Sequence, residues 1–417
     1  MNLFLFNAND SASTYGIGSY LKDLKELINA LGSGDVNIRI VHLHSIRPEF
    51  EITKTNGVEI WYIPEVSNQK TFSGVVQKFE DYYHNVIYLL RQHIISAKNL
   101  VFHFNYNQSQ FLAKNLKTVF DCKTVSTVHF LKWSLVLNGN LHRLLAIKSK
   151  PENQRTYFEQ LIITTDEYES LLYKEVDFVI VLSDKTKNFL CNEYRLEPDK
   201  IVVIPNGIDD ISHKTEIKKD ALRKKWGITE NEFIILFVGR LNEVKGLLFL
   251  LRAFRKVLEK IPNCRLMIVG GGYTQTYLKE NQDINTKINF TGLLEKKELY
   301  ELYQIADVGV MPSLFETFGY VAVEMMMFSL PMITTTAHGL TEITEDRISS
   351  LHVPLVEKPD RIEIDTDLLA EKIVYLLEHP DEAKRLARNA RKRYEEYYSK
   401  EVFRNNMIRF YKSLFDE

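Results

Sequence analysis

Short apolar runs alternate with segments of helical periodicity along almost the whole chain. Apolar residues recur at helical spacing from Tyr20 to Leu31 and again from Phe79 to Leu90. In the first half, the runs that predict strands are Leu3–Phe6, Asn37–Leu43, Val58–Ile63, Leu100–Phe104, Thr124–His129, Phe178–Leu182 and Ile201–Ile204. Short apolar strands joined by helices predict a mostly parallel sheet that is covered on both faces.

The same pattern starts again after a turn signal at Pro205-Asn206-Gly207 and a polar, charged stretch that reaches Asp220. The second series of predicted strands is Phe233–Val238, Arg265–Val269, Ile288–Thr291, Val308–Met311, Met332–Thr335 and Ser350–Val353. A chain of 417 residues is also longer than one hydrophobic core supports. We therefore expect an α/β protein with two Rossmann-like domains, at 1–207 and 208–399, facing across a cleft. A C-terminal helix at about 400–417 is expected to cross back onto the first domain.

Composition excludes several classes of protein. The formal net charge of −2 argues against a nucleic-acid partner. The three cysteines lie far apart and in no metal-like spacing, which favours a reduced compartment. The N-terminus lacks the basic start of a signal peptide, and no apolar run approaches the length of a membrane span. We expect a cytoplasmic protein.

Two carboxylates flank a Phe-Gly-Tyr turn between a predicted strand and a predicted helix. Glu316 lies in the loop that leaves the strand, and Glu324 lies on the helix that follows. Ligands of open α/β sheets bind at this end of the strands, and a helix start offers N–H groups to a diphosphate. Glutamates on helices are usually solvated, and this spacing also arises by chance. Pro312-Ser313 before the turn and Gly319 at the helix start favour a functional site.

Two cations occupy the loop after the first strand of the second domain. Arg240 and Lys245 lie between Gly239 and Gly246, which leave room for close approach. A guanidinium forms forked hydrogen bonds to phosphate oxygens, and an ammonium adds a compact charge. Such a pair can stabilise a diphosphate leaving group without a metal. The alternative is a solvated loop with two ordinary basic residues.

Together the two segments resemble the second domain of the retaining glycosyltransferases of family 4, which have the GT-B fold. The resemblance is dense from about Asp177 to Ile343. Its further motifs are Val203 to Asp209, Leu266 to Gly272, Thr291-Gly292-Leu293 and Pro331 to Ile343.

The resemblance implies a role for each residue that matches a family motif. Arg240 and Lys245 would bind the donor diphosphate, Glu324 the ribose hydroxyls and Glu316 the donor sugar. The turn residues that would offer backbone N–H groups to sugar and phosphate are Thr317, Phe318, Gly319 and Tyr320. The base would be read at Gly292 and Leu293.

The first domain carries two further matches. Gly16 and Gly18 resemble the family's glycine-rich loop, which approaches the diphosphate, although such a run is also an ordinary tight turn. His129, at the end of a predicted strand, matches a histidine near the donor sugar, although a lone histidine there is more often structural. Phe130 replaces the aspartate that usually follows, and His338 replaces a family glycine. We expect His338 to affect the choice of sugar.

Residues 109–150 carry seven cations against one acid, with apolar residues between them. This composition could face an anionic acceptor, or a membrane that carries a lipid-linked sugar. The favoured alternative is a basic face that pairs with the eight acids of residues 152–184.

The resemblance thus implies a retaining transferase that moves a hexose or N-acetylhexosamine from a nucleotide-diphosphate sugar to a hydroxyl acceptor. UDP-sugars are favoured over GDP-sugars, the acceptor is a glycan, a lipid-linked saccharide or another hydroxyl compound, and no metal or other cofactor is expected. The predicted catalytic residues are His129, Arg240, Lys245 and Glu316. The expected setting is polysaccharide biosynthesis in the cytoplasm, with peripheral contact at the inner face of the membrane.

Three rivals stay open at this stage. A sugar-nucleotide epimerase can share the two-domain architecture, and a partner subunit can keep the fold without turnover. A glycosidase with Glu316 and Glu324 as its carboxylate pair would leave Arg240 and Lys245 without a role.

Overall fold

The computed structural model describes residues 1–8, 36–55, 57–65, 75–94, 98–105, 110–214 and 218–415. The chain forms two compact units. Unit 1 comprises Met1–Leu131, Thr156–Pro205 and Phe403–Glu417, and unit 2 comprises Lys132–Arg155 and Asn206–Val402. The predicted helix from Tyr20 to Leu31 lies outside the described residues.

The strands follow the predicted alternation closely. They are β1 (Asn2–Ala8), β2 (Asn37–Ser45), β3 (Glu51–Thr55), β4 (Val58–Pro64), β5 (Leu100–Phe104), β6 (Cys122–Val128), β7 (Phe178–Val181), β8 (Ile201–Val203), β9 (Phe233–Val238), β10 (Cys264–Val269), β11 (Ile288–Gly292), β12 (Val308–Met311), β13 (Met332–Thr335), β14 (Leu351–Val353), β15 (Leu355–Glu357) and β16 (Ile362–Ile364). All thirteen predicted strands are confirmed, whereas β3, β15 and β16 were not predicted.

The α-helices of the described residues are α1 (Val75–His93), α2 (Gln110–Val119), α3 (Lys132–Val136), α4 (Leu141–Ser149), α5 (Tyr157–Glu175), α6 (Asp184–Tyr194), α7 (Lys219–Lys225), α8 (Leu247–Lys260), α9 (Gln275–Glu280), α10 (Lys296–Ile305), α11 (Tyr320–Met327), α12 (Leu340–Ile343), α13 (Thr366–Glu378), α14 (Pro380–Arg393) and α15 (Lys400–Ser413). A π-helical turn at Tyr394–Tyr398 follows α14. The start of α5 is fixed by a capping box, in which the side chains of Thr156 and Glu159 each accept a hydrogen bond from the other residue's backbone N–H.

Unit 1 is built on an eight-stranded sheet in the order β3-β4-β2-β1-β5-β6-β7-β8. Neighbouring strands are parallel except for the antiparallel pair β3 and β4 at one edge. Every residue of β5 is buried, as expected for a central strand with both faces covered. The sequence therefore predicted this sheet correctly apart from its antiparallel edge.

The C-terminal helix α15 packs on the sheet of unit 1. Phe403, Met407 and Phe410 join a core cluster that includes Leu3 of β1. A buried hydrogen bond between Tyr411 of α15 and a histidine in the centre of the sheet also ties the helix to unit 1.

That histidine is His103 in β5, and its ring is fully buried. Nδ1 lies 2.6 Å from the Tyr411 hydroxyl of α15, and Nε2 lies 2.7 Å from the Thr127 hydroxyl of β6. Burial, with a smaller contribution from nearby His129, lowers the pKa of His103 to about 3. The ring is therefore neutral, with both nitrogens hydrogen-bonded.

Unit 2 is built on a six-stranded parallel sheet in the order β11-β10-β9-β12-β13-β14. The short strands β15 and β16 form a separate antiparallel pair. The chain runs outward from β9 to β11 on one side and from β12 to β14 on the other. The strand order therefore reverses between β9 and β12, which defines a topological switch point.

The segment Lys132–Arg155 belongs to unit 2, whereas the sequence assigned all of residues 1–207 to the first domain. This part of the predicted division is corrected. The physical reason is that Trp133 and Gly139 of the segment pack against Phe315 of unit 2, and Asn140 donates a hydrogen bond to the Lys358 carbonyl at 2.8 Å.

Candidate functional site

The switch point of unit 2 brings the two predicted motifs together. Neighbouring strands β9 and β12 pair through Ile235 with Val308 and through Leu236 with Gly309. The β9 loop (residues 239–246) and the β12 loop (residues 312–319) leave the carboxyl ends of these strands. Because this end of a switch point is where open α/β sheets bind ligands, the two loops form the candidate site.

Only a glycine permits the two loops to lie as close as they do. The Leu314 N–H donates to the Val244 carbonyl at 2.8 Å. Gly246 has a φ of +66°, and a Cβ there would overlap the carbonyl group of Pro312, lying 2.8 Å from its carbon. Gly246 is also the residue from which α8 begins. The absence of a side chain at Gly246 thus lets the β9 loop continue into α8 while it lies against the backbone of the β12 loop.

Lys245 and Glu316, one from each loop, form an ion pair. The Ser313 hydroxyl donates to the same carboxylate oxygen of Glu316 at 3.0 Å. The Glu316 carbonyl accepts a hydrogen bond from the Gly339 N–H at 2.7 Å, which fixes the backbone of the loop. The side chains of Lys245 and Glu316 are 20% and 12% exposed, so the pair is partly shielded from water while a ligand could still reach it. The sequence predicted both residues but not their contact.

Arg240 lies on the rim of the site with an exposed side chain. The glycines of the loop that follows β10, residues 270–272, make room for the backbone beside Arg240. A Cβ on Gly270 would overlap the Gly239 carbonyl group, and the Leu241 N–H donates to the Gly271 carbonyl at 2.8 Å. The two loops therefore run in contact, and this explains the Gly-Gly-Gly run that follows β10.

The residues predicted to read the base lie on an adjoining, exposed edge. Gly292 ends β11 with a φ of +73°, and Leu293 next to it is 71% exposed. The Leu293 side chain lies over Gly271, where an added Cβ would meet it at 3.2 Å. An apolar side chain held in the open at this position can contact the flat face of a ligand.

Glu324 projects from α11, which begins directly after the β12 loop. Gly319 precedes the helix with a φ of +114°, and a Cβ there would lie 2.7 Å from a methyl carbon of Leu340. Thr317 and Phe318 are buried beside it, and Tyr320 is the first helical residue. The four turn residues thus set the direction of the first helical turn, in which the Ala322 N–H donates to the Gly319 carbonyl at 2.9 Å.

The carboxylate of Glu324 accepts a hydrogen bond from the Tyr303 hydroxyl of α10 at 2.9 Å. Burial raises the pKa of the Glu324 carboxyl, and the charge of Lys296 and the hydrogen bond from Tyr303 oppose this rise. Tyr303 itself is almost fully buried, and burial raises its pKa well above the usual range. Sequence reasoning missed Tyr303. A buried tyrosine on a helix needs a partner for its hydroxyl, and that requirement was the available signal.

An aromatic stack supports the β12 loop beside Glu316. The rings of Phe315 and His338 are stacked with centroids 4.7 Å apart, and the Trp133 ring meets Phe315 edge-on at 5.6 Å. The sequence had singled out His338, whereas the roles of Phe315 and Trp133 were not predicted.

Of the site residues predicted in unit 1, the structure describes His129 but not the two glycines. His129 directly follows β6, and burial lowers its pKa to about 3, so the ring is neutral. Gly16 and Gly18 lie outside the described residues. Lys117, one of the seven cations, pairs with Glu175 at 3.2 Å and with Asp177 at 3.7 Å, as the favoured alternative for this basic segment expected.

Two kinds of feature are absent from the described part of the chain. No group of three or more His, Cys, Asp or Glu residues there could hold a metal ion. Within those same ranges, no helix has the length and apolar character to span a bilayer.

Comparisons with known proteins agree with this geometry. The structure matches sucrose-phosphate synthase from Thermosynechococcus elongatus over 100% of this chain and 99% of the other, with a TM-score of 0.74 and 20% identity. Over 99% of this chain and all of the other, it matches Anabaena Alr3699/HepE in complex with UDP and glucose, with a TM-score of 0.70 and 16% identity. The architecture is therefore the α/β GT-B class with two Rossmann-like units.

Two family models match different halves of the sequence. Residues 218–393 match "Glycosyl transferases group 1", and residues 16–211 match "Glycosyltransferase Family 4". An uncharacterized glycosyltransferase of Methanocaldococcus jannaschii, MJ1607, is 36% identical over 191 residues, which are 44% of this chain and 48% of the relative. The alignments span about half the length of the curated relatives that the chain matches. The chain belongs to glycosyltransferase family 4.

Proposed function

We propose that this protein is a retaining glycosyltransferase that moves a hexose or N-acetylhexosamine from a nucleotide-diphosphate sugar to a hydroxyl acceptor. The observation that carries the proposal is the contact between Lys245 and Glu316 at the switch point of unit 2. It puts a cation suited to phosphate beside a carboxylate suited to sugar hydroxyls. Neither an epimerase nor a partner subunit is favoured by a separate observation.

In the proposed complex, Arg240 and Lys245 hold the diphosphate and Glu324 accepts hydrogen bonds from the ribose hydroxyls. An ammonium group has three donors, so Lys245 can keep Glu316 while it binds a phosphate oxygen. Glu316 would then orient the sugar. Hydrogen bonds from neighbouring hydroxyls hold both carboxylates in place, from Ser313 to Glu316 and from Tyr303 to Glu324.

The proposed reaction breaks the bond between the anomeric carbon and the donor phosphate. Arg240, Lys245 and the first N–H groups of α11 would stabilise the negative charge that develops on the nucleoside diphosphate, usually the largest contribution in such sites. The acceptor hydroxyl attacks on the same face, and a phosphate oxygen of the donor takes its proton. Because His129 is neutral, any part it takes is that of a hydrogen-bonding group rather than a charge.

We further propose a UDP-sugar as the donor, with a GDP-sugar as the second choice, and charge stabilisation by side chains without a metal. The UDP and glucose in the Anabaena structure, which shares the fold, support the choice of UDP. Contact of a cytoplasmic protein with the inner face of a membrane stays a prediction from sequence, as does a lipid-linked or glycan acceptor.

The proposal is tested by a thermal-shift screen over UDP-, GDP-, ADP- and TDP-sugars, followed by transfer assays with a panel of carbohydrate and lipid-linked acceptors. We expect one donor class to raise the unfolding temperature and to release nucleoside diphosphate only when acceptor is present. Interconversion of donors without acceptor, followed by NMR, would instead identify an epimerase. Binding without turnover over the whole panel would identify a partner subunit.

A further inference from the structure

We infer that the segment Lys132–Arg155, called the brace below, holds the β9 and β12 loops in register, with Trp133 and Asn138 as positioning residues. The inference rests on the proposed function, because it assigns these residues to the binding of the same donor. The brace contacts both loops, and each contact is independent of the other.

The first contact supports the β12 loop at Phe315, the neighbour of Glu316. Trp133 is buried, and its ring meets the Phe315 ring edge-on at 5.6 Å. Gly139 has a φ of +77°, and a Cβ there would overlap Phe315, lying 2.9 Å from a ring carbon. With His338 stacked on the ring as well, Phe315 is enclosed by the brace and by the segment that carries His338. The backbone that carries Glu316 can therefore move little without moving the brace.

The second contact supports the β9 loop at Glu243. The Asn138 side-chain N–H donates to the Glu243 carboxylate at 2.8 Å. Glu243 and Lys245 are the first and last residues of one 3-10 turn, Glu243–Lys245. The hydrogen bond engages the Glu243 carboxylate, while Lys245 pairs with Glu316. Without Asn138, Glu243 could compete with Glu316 for Lys245.

The brace has its own anchor, so Asn138 is not needed to hold it in place. Asn140 is buried, and its side chain caps α4 by accepting from the Arg143 N–H at 2.9 Å. The same side chain donates to the Lys358 carbonyl at 2.8 Å. His142, two residues further on, lies 3.7 Å from the Glu357 carboxylate. Removing the Asn138 side chain should therefore release Glu243 and leave α4 docked.

A double-mutant cycle on donor binding tests the inference. The four proteins are wild type, Asn138→Ala, Glu243→Ala and the double variant, and the dissociation constant of the best UDP-sugar is measured for each by calorimetry. One hydrogen bond to a charged group predicts that Asn138→Ala weakens binding about five- to tenfold. In the Glu243→Ala background the same change should have no further effect, because its partner is already gone. Additive effects would mean that Asn138 acts on donor binding by a route other than Glu243.

Asn389→Ala is the matched control, because Asn389 also donates one side-chain hydrogen bond across elements of unit 2, to the Ile348 carbonyl at 2.9 Å. It should bind donor as wild type does. Trp133→Phe provides a second variant that keeps a ring against Phe315, and it should weaken binding less than Trp133→Leu does. Equal affinity of Asn138→Ala and wild type, or additive losses in the cycle, would overturn the inference while leaving the proposed function intact. Failure of the wild type to bind any nucleotide sugar would overturn both.

Discussion

Gly246→Ala is the substitution that most directly perturbs the contact between the β9 and β12 loops. The new Cβ would lie 2.8 Å from the carbonyl carbon of Pro312 and would overlap its oxygen, whereas ordinary van der Waals contact begins at 3.4 Å. The neighbour is backbone, so it cannot rotate away as a side chain could. The loops must separate by several tenths of an ångström at least, and Lys245 moves with the β9 loop.

Two separate costs follow. A left-handed φ costs a residue with a Cβ about 1–2 kcal/mol, and overpacking adds about 1–3 kcal/mol. A catalytic group misplaced by about 1 Å can lose about 100-fold in rate. We therefore expect a variant that is about 2–5 kcal/mol less stable and that transfers sugar with a kcat/KM about 100-fold lower.

Gly227→Ala separates the two costs. Gly227 has nearly the same φ, +67°, but no atom lies within 4 Å of an added Cβ. Gly227→Ala should lose only the stability that the left-handed φ costs, and it should transfer sugar at the parental rate. Thermal unfolding and acceptor-dependent release of nucleoside diphosphate are measured for both variants. If Gly246→Ala remains folded and transfers sugar as fast as Gly227→Ala, close approach of the loops is not required and the reasoning is refuted.

Three further predictions concern single side chains. Lys245→Ala should cost roughly 2–4 kcal/mol of transition-state stabilisation, seen as a drop in kcat/KM without loss of fold; an unchanged rate would contradict the phosphate assignment. Tyr303→Phe removes a hydrogen bond that lowers the pKa of Glu324, so the loss of donor affinity on acidification should begin at higher pH than in wild type, as titration of the dissociation constant against pH would reveal. The pKa of His103 is about 3 in the folded chain, so this residue contributes stability above the unfolded value of 6.5 that is lost as pH falls toward 3. His103→Gln should therefore show a shallower fall of the urea midpoint over that range, and an identical slope would count against a neutral buried ring.

The sequence predicted the fold well because its strands are apolar runs with helices between them. It missed β3 because Glu51 to Thr55 is a polar edge strand with little burial. It missed β15 and β16 because each has only three residues, too few to show an alternating pattern. These elements owe their form to strand pairing rather than to local pattern.

The sequence singled out residues for the candidate site but not the contacts between them. Arg240 and Glu316 follow strands whose order in the sheet could be expected, so their end of the sheet was predictable. The pair of Lys245 with Glu316 joins positions 71 residues apart, and no local signal connects them. Tyr303 was missed for the same reason, because its partner lies on another helix.

The brace shows where chain order misleads. Lys132–Arg155 lies between β6 and α5 of unit 1, so its position in the sequence assigned it to the first domain. Its membership of unit 2 depends on Trp133, Gly139 and Asn140, whose contacts with Phe315 and Lys358 each join residues more than 100 positions apart. Only tertiary packing reveals that assignment.

The central claim is that a nucleotide-diphosphate sugar binds at the switch point of unit 2, and a crystal structure with a non-hydrolysable UDP-sugar tests it most directly. We expect diphosphate density within hydrogen-bonding distance of Lys245 and Arg240, with the ribose hydroxyls on Glu324 and the sugar beside Glu316. A well-ordered nucleotide bound elsewhere on the chain, with the Lys245 and Glu316 pair untouched, would contradict it.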